Sequence, residues 1–117
     1  MRLLLVISVS LITFATVVPG NAGWDQQTCE ERGDPAEAVS ACTRLIEDAN
    51  LDDRDFTTAL YNRGIQLTHL GEVERAIEDF SRVIQIRTVD RQAYNGRGNA
   101  YFLKAIWSAQ SRIMTRK

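Results

Sequence analysis

Histidine, cysteine and proline are scarce in this 117-residue sequence, which contains one, two and two of them respectively. Two cysteines and one distant histidine are too few for a zinc site, which needs more ligands. His69 has no serine or cysteine nucleophile placed beside it, so the sequence predicts no enzymatic activity. Two prolines and seven glycines are also too few for a low-complexity linker.

Motifs for several other ligands are missing as well. The acidic run at residues 52–55 lacks the glycine and the distal glutamate of an EF-hand, and Arg54 interrupts it. We therefore expect Asp52, Asp53 or Asp55 to cap the following helix. No glycine loop for phosphate is present, and the basic C-terminal end lacks a nucleic-acid motif. The sequence predicts no cofactor, no metal and no nucleic-acid partner.

The N-terminal segment has the pattern of a secretory signal peptide. Arg2 precedes an uncharged run over residues 3–18, which ends before Pro19 and Gly20. Small residues at Gly20 and Ala22 predict a signal peptide at 1–22 with cleavage after Ala22, and hence a periplasmic or secreted protein. The run has 16 residues, fewer than the ~20 of a spanning helix. An uncleaved membrane anchor is the alternative.

Charge is distributed unevenly over the remaining residues. Residues 23–80 carry 5 basic and 14 acidic side chains, whereas residues 81–117 carry 8 basic and 1 acidic. The asymmetry indicates either two complementary ends of one fold or a binding surface. Membrane contact through the basic C-terminal segment is a further alternative.

A 34-residue repeat organises the C-terminal part of the chain, because Tyr61-Asn62-Arg63-Gly64 recurs as Tyr94-Asn95-Gly96-Arg97-Gly98. Leu60, Gly64 and Leu67 share one helix face, and Gly71 follows as a turn residue. An apolar stripe then runs over residues 73–84, with Glu74, Arg75, Glu78, Asp79 and Arg82 predicted on the opposite face. This pattern predicts an antiparallel helical hairpin that needs stacked neighbours.

These features resemble the tetratricopeptide repeat (TPR) family, of which residues 57–90 form one whole unit. The matching positions are Gly64, Leu67, Gly71, Ala76 and Phe80, while Thr88 stands where the family has its closing proline. The resemblance implies an all-α, TPR-like solenoid of antiparallel helix-turn-helix repeats, in one domain at 23–117. It contains about two and a half units, near 23–50, 57–90 and 91–117.

The last unit is degenerate, because Ala105 stands where the turn glycine is expected. We expect the chain to fold back there as a partial second helix, since Trp107 and Met114 keep apolar repeat positions. The alternative is one straight helix from Arg91 that leaves Trp107 exposed.

An incomplete first unit lies 38 residues before the full one, with Gly33 and Ala38 matching Gly71 and Ala76. In this frame Cys29 and Cys42 take the positions of Leu67 and Phe80, which face the interior of a hairpin. Because export leads to an oxidising compartment, we predict a Cys29–Cys42 disulfide. Two buried thiols are the alternative.

The resemblance also implies a function, because first helices of TPR units line a groove that holds peptides. Asparagine amides can bond a peptide backbone, and aromatic side chains can anchor a partner's side chain. The chain is thus expected to be an adaptor for a protein or peptide, and a membrane-associated structural module is the alternative. The implied groove residues are Thr58, Tyr61, Asn62, Ile65, Thr68, His69, Gln92, Asn95, Asn99 and Phe102.

Overall fold

The computed structural model describes residues 22–115, and these residues form five α-helices without a strand. The predicted all-α class is therefore confirmed. The predicted signal peptide lies outside the described residues, apart from Ala22. The helices are α1 (Ala22–Glu30), α2 (Pro35–Ile46), α3 (Asp53–His69), α4 (Val73–Ile86) and α5 (Arg91–Thr115).

Helix α3 is the centre of the fold, because it contacts each of the other four helices. Helix α2 packs against α1 and α3, and helix α4 packs against α3 and α5. Helices α1 and α5 each contact α3 as well. The odd-numbered helices thus form one layer, and α2 and α4 cover it on one side.

Aspartate side chains begin three of these helices. The Oδ1 atom of Asp52 accepts a hydrogen bond from the Asp55 N–H at 2.8 Å, so Asp52 is the cap among the three predicted candidates. Asp34 accepts from the Ala36 N–H at 3.2 Å at the start of α2. Asp90 accepts from the Ala93 N–H at 3.1 Å at the start of α5. Each bond satisfies a first-turn amide that has no partner within its helix.

The predicted hairpin of α3 and α4 turns at Gly71, as expected. Gly71 has a φ of 82°, a conformation that costs little only for glycine. Its N–H donates to the Thr68 carbonyl at 3.1 Å, and the Glu72 N–H donates to the Leu67 carbonyl at 2.9 Å. These two bonds form a Schellman ending, which satisfies the last carbonyls of α3.

The C-terminal segment does not fold back, and that expectation was wrong. Helix α5 continues without a break from Arg91 to Thr115. Ala105 has no easy access to the positive φ that Gly71 adopts, so the helical hydrogen-bond ladder continues through it. Trp107 is 40 % exposed, and its ring covers the α3–α4 turn. Its Cη2 atom lies 3.3 Å from the point where a Cβ on Gly71 would be.

Phe80 fills the space between α3 and α5 and is fully buried. Two glycines make room for its ring, since a Cβ at Gly64 or Gly96 would lie 2.8 or 2.7 Å from ring atoms. The repeat pattern matches Gly64 with Gly98 instead. Gly98, however, is exposed, and a Cβ there would meet nothing within 4 Å. Gly96 is thus the second glycine of the core.

A buried ion pair joins α3 to α4, contrary to the predicted position of Asp79 on a solvated face. The side chains of Arg63 and Asp79 are only 14 % and 4 % exposed. Arg63 donates to both carboxylate oxygens of Asp79, from Nε at 2.7 Å and from Nη2 at 2.8 Å. Its Nη1 atom also donates to Thr43 Oγ1 of α2 at 3.3 Å. The hydrogen bonds to Asp79 raise the pKa of Arg63 above its ordinary value, although burial opposes this.

The predicted Cys29–Cys42 disulfide is present and joins α1 to α2. The two Cα atoms are 4.9 Å apart, and both residues are buried. The residues 22–115 contain no free cysteine. Around the bond lies a cluster of the buried residues Ala41, Leu45 and Ala59. The disulfide therefore belongs to the core beneath α1 and α3.

Candidate interaction surface

The ten predicted groove residues lie on α3 and α5, two neighbouring helices of the odd-numbered layer. All ten are at least partly accessible to solvent. Five of the six on α3 are half-buried, and His69 is exposed. The four on α5 are all exposed: Gln92, Asn95, Asn99 and Phe102.

One depression, the Asn62 cleft, lies between α1 and α3. The buried residues Cys29, Leu45 and Ala59 provide its apolar floor. Polar side chains surround that floor, so the cleft offers amides and carboxylates beside an apolar contact. Its full lining is Gln26, Cys29, Glu30, Leu45, Leu51, Asp55, Thr58, Ala59 and Asn62.

A second depression, the His69 cleft, lies farther along α3, towards its C-terminal end. It is lined by Ile65, Gln66 and His69 of α3, together with Arg32 and Gly33 of the segment between α1 and α2. Together the two clefts contain four predicted groove residues: Thr58, Asn62, Ile65 and His69.

Two other predicted residues also make internal contacts. The Tyr61 ring packs edge-on against Phe80, with ring centroids 5.8 Å apart and planes at 60°. The Thr68 hydroxyl donates to the Gly64 carbonyl at 2.8 Å. Tyr61 thus helps to hold Phe80 in the core, and its freedom to adapt to a partner is limited.

Phe102 of α5 is more accessible than Tyr61 of α3, the other aromatic residue of the predicted groove. Its side chain is 66 % exposed, whereas Tyr61 is half-buried. Asn95 and Asn99 precede it by seven and three residues, so the three side chains lie on neighbouring positions of one helix face. This face adds exposed amides and one aromatic ring beside α3.

Sequence reasoning missed the contribution of the first hairpin to both clefts. Gln26, Glu30 and Arg32 line them, yet none was among the predicted residues. The 38-residue offset between units could have predicted that Glu30 belongs to the groove, because it maps Glu30 onto Thr68. The same offset does not map Gln26 or Arg32 onto a groove residue, so only the structure reveals them.

The two clefts differ in the charges at their rims. Glu30 and Asp55 give the Asn62 cleft a negative rim. Arg32 gives the His69 cleft a positive one, with the His69 imidazole beside it. The charge along α3 therefore changes from negative at the Asn62 cleft to positive at the His69 cleft. An extended ligand with one charge of each sign can match both rims in only one direction.

Comparison of the chain with protein-family models, curated proteins and solved structures finds no significant match. Within residues 22–115, no helix has the length and apolarity needed to cross a membrane.

Proposed function

We propose that this protein is an exported adaptor of the TPR type, which binds an extended segment of another protein along α1 and α3. The observation that carries the proposal is the Asn62 cleft. There the Asn62 amide lies at the rim of an apolar floor, beside the Gln26 amide, which donates to the Glu30 carboxylate at 3.2 Å. Such amides can donate to and accept from a peptide backbone, while the floor accommodates a side chain.

The TPR assignment is supported by the sequence repeat together with the helix packing. The unit at residues 57–90 has the family's small residues where α3, α4 and α5 approach one another, and Phe80 fills the space beside them. The order of helices, with α1, α3 and α5 in one layer, agrees with stacked hairpins.

The charges at the two clefts define the peptide that we expect. Its basic side chain would lie near Glu30 and Asp55, and its carboxylate near Arg32. The α3 residues of the two clefts are centred about eight residues apart, or about 12 Å. An extended peptide covers that distance in about four residues. We therefore expect a basic and an acidic residue about four positions apart.

Export is part of the proposal, and the buried disulfide supports it. Stable disulfides form in oxidising compartments and are rare in the cytosol. The pairing of Cys29 with Cys42 agrees with passage through such a compartment after cleavage behind Ala22.

The test is capture from the exported fraction with the purified chain as bait, followed by mapping of the bound segment with synthetic peptides. The variant Asn62→Ala should lose the captured partner and its peptide. The matched control Glu78→Ala changes an exposed residue of α4 and should retain both. Equal capture by the two variants would refute binding along α3.

A second candidate function is membrane association through the end of α5. Ile113 and Met114 are 73 % and 79 % exposed, and Arg112 precedes them. Apolar side chains beside basic ones favour an anionic membrane surface. Co-sedimentation with anionic vesicles that is lost in Ile113→Asp and absent with neutral vesicles would support this candidate over the adaptor.

A further inference from the structure

Helix α4 covers one face of α3, and the equivalent face of α5 is exposed to solvent. Leu60, Gly64 and Leu67 of α3 are buried beneath α4. The residues 34 positions later are Tyr94, Gly98 and Tyr101, which we call the open face of α5. Tyr94 and Tyr101 are 43 % and 51 % exposed, and Gly98 has open space beside its Cα.

The remaining contacts of α3 and α5 show that the two helices are placed in the same way. Ala59 of α3 packs in one cluster with Leu45 of α2. Ala93 of α5 packs in one cluster with Val83 of α4. Ala93 follows Ala59 by 34 residues, and Val83 follows Leu45 by the unit offset of 38. Helix α5 therefore lies on α4 as α3 lies on α2.

Arginine contacts repeat in the same register. Arg63 donates to Thr43 of α2 at 3.3 Å, and Arg97 donates to Ser81 of α4 at 3.2 Å. Again the arginines are 34 residues apart, and the hydroxyl residues are 38 apart. Each arginine thus donates a hydrogen bond to the even-numbered helix that precedes its own helix. Each also lies beside the helix face that α4 covers on α3 and that is open on α5.

Of these two arginines, only Arg63 forms an ion pair with a carboxylate of residues 22–115. Arg63 pairs with Asp79 of α4, whereas none of the ion pairs among residues 22–115 includes Arg97. The residue 34 positions after Asp79 is Ile113, which still belongs to α5. The Arg97 guanidinium instead lies over the Tyr94 ring, 5.4 Å from its centroid.

We propose that the open face of α5 binds an acidic amphipathic helix of a second protein, in the place that α4 occupies on α3. That helix would carry a small residue, an acidic residue three positions later and an aromatic residue one position after that. In α4 these are Ala76, Asp79 and Phe80. The acidic residue pairs with Arg97, and the small and aromatic residues pack on Gly98 between the two tyrosines.

Charge complementarity favours this occupant. Residues 91–115 contain Arg91, Arg97, Lys104 and Arg112 and no acidic residue. Lys104 already pairs with Glu74 at 3.5 Å, and the three arginines have no ion pair within residues 22–115, so an acidic helix can pair with them and a basic or neutral one cannot. A second copy of the chain is a poorer fit. Among its described helices only α4 has the required pattern, and α3 and α5 already cover α4. The open face contains none of the predicted groove residues, so this site is separate from the one along α3.

The direct probe is a labelled, capped peptide with the sequence of residues 72–88, titrated into the purified chain. We expect saturable binding and a gain in helicity of the peptide. The Asp79→Asn peptide should bind at least about thirtyfold more weakly, because it leaves Arg97 without its partner in a closed interface. In the protein variant Arg97→Gln that difference between the two peptides should disappear.

The blocking variant is Gly98→Leu, chosen because Gly98 is exposed and a Cβ there meets nothing within 4 Å. It should abolish peptide binding without lowering the melting temperature, whereas Gln110→Leu, an exposed change elsewhere on α5, should leave binding within about twofold. Peptide binding that survives Gly98→Leu would overturn the proposal, since it would indicate exchange with the chain's own α4.

Two further results would also overturn it. If sedimentation equilibrium shows a dimer of the wild-type chain that Gly98→Leu dissociates, the open face binds a second copy. If Gly98→Leu abolishes binding to anionic vesicles while the peptide does not bind, the face is a membrane contact.

Discussion

At the scale of single residues, replacing a glycine by alanine should have opposite effects on stability beside Phe80 and at the exposed Gly98. Gly96→Ala would place a Cβ 2.7 Å from the Phe80 ring, and the ring cannot retreat because Gly64 holds it from the other side. Overpacking of this kind costs about 1–3 kcal/mol, which exceeds the gain of about 1 kcal/mol from replacing glycine in a helix.

We therefore expect Gly96→Ala to lower the free energy of unfolding and Gly98→Ala to raise it by about 0.5–1 kcal/mol. Chemical denaturation of both variants tests this, with equal m-values as the check on two-state unfolding. Stabilisation by both changes would show that the Phe80 ring has more freedom than its two contacts allow.

The Arg63–Asp79 pair gives the second prediction. Asp79→Asn should destabilise the fold by about 3 kcal/mol, because removing one partner leaves a charge with little access to water. Its neighbour provides a matched control: Glu78→Gln changes an exposed carboxylate and should cost no more than about 0.5 kcal/mol. Thermal denaturation monitored by circular dichroism compares the two, and similar midpoints would argue against a stabilising pair.

Asp79 also shows what a sequence pattern cannot resolve at this scale. Helical periodicity placed it with Glu78 among charged residues, and it borders the apolar stripe that contains Ala76 and Phe80. Whether such a border residue is solvated depends on a partner from another helix, here Arg63. Because that partner is 16 residues away, only the packing of α3 on α4 decides the outcome.

At the scale of the elements, the turn between α3 and α4 depends on one backbone conformation. Gly71→Ala would force an alanine to a φ of 82°, at a cost of about 1–2 kcal/mol, and its Cβ would press on Trp107 at 3.3 Å. Gly33→Ala is the control, since a Cβ there meets nothing within 4 Å. We expect a lower melting temperature for the first variant and no loss for the second.

The same turn explains where the predicted elements agree with the structure and where they do not. Gly71 and the stripe that follows it specify a hairpin, and α3 and α4 form one. At Ala105 the apolar positions of a second helix persist, but the glycine that would end the first one is missing. The missing glycine decides the outcome, although the apolar positions of a second helix are present. A helix ends where other hydrogen bonds replace those that its last turn loses, and at Gly71 the left-handed glycine makes this possible.

The candidate surface was predictable to a similar extent. The α3 side of the clefts follows from the repeat, since Asn62 and Ile65 are among the groove positions that the TPR resemblance implies. On the α1 side only Glu30 could have been predicted, because the 38-residue offset maps it onto Thr68, whereas it maps Gln26 onto Gly64, which is not a groove position. Gln26 and Glu30 become part of the surface only through the packing of α1 against α3.

At the scale of the whole molecule, the disulfide determines whether α1 remains part of the fold. Helix α1 has nine residues, too few for an isolated helix to be stable in water. Of the residues Gly23–Glu30, only Cys29 is buried.

The covalent bond to Cys42 and an ion pair between Asp25 and Arg44 at 2.8 Å both join α1 to α2. Because the Arg44 side chain is 58 % exposed, that pair contributes little, and the disulfide is the stronger attachment. It therefore holds Gln26 and Glu30 at the Asn62 cleft.

The double variant Cys29→Ser, Cys42→Ser should thus have a local as well as a global effect. The two cysteines are 13 residues apart, and closing a loop of about that size stabilises a fold by about 3 kcal/mol. Native-state hydrogen exchange should show loss of protection across α1, while α3, α4 and their contacts with α5 remain protected. If the Asn62 cleft is the binding site, the same variant loses affinity for the captured peptide before it unfolds. Protection that falls equally in all five helices would instead mean that the disulfide stabilises the molecule as one cooperative unit.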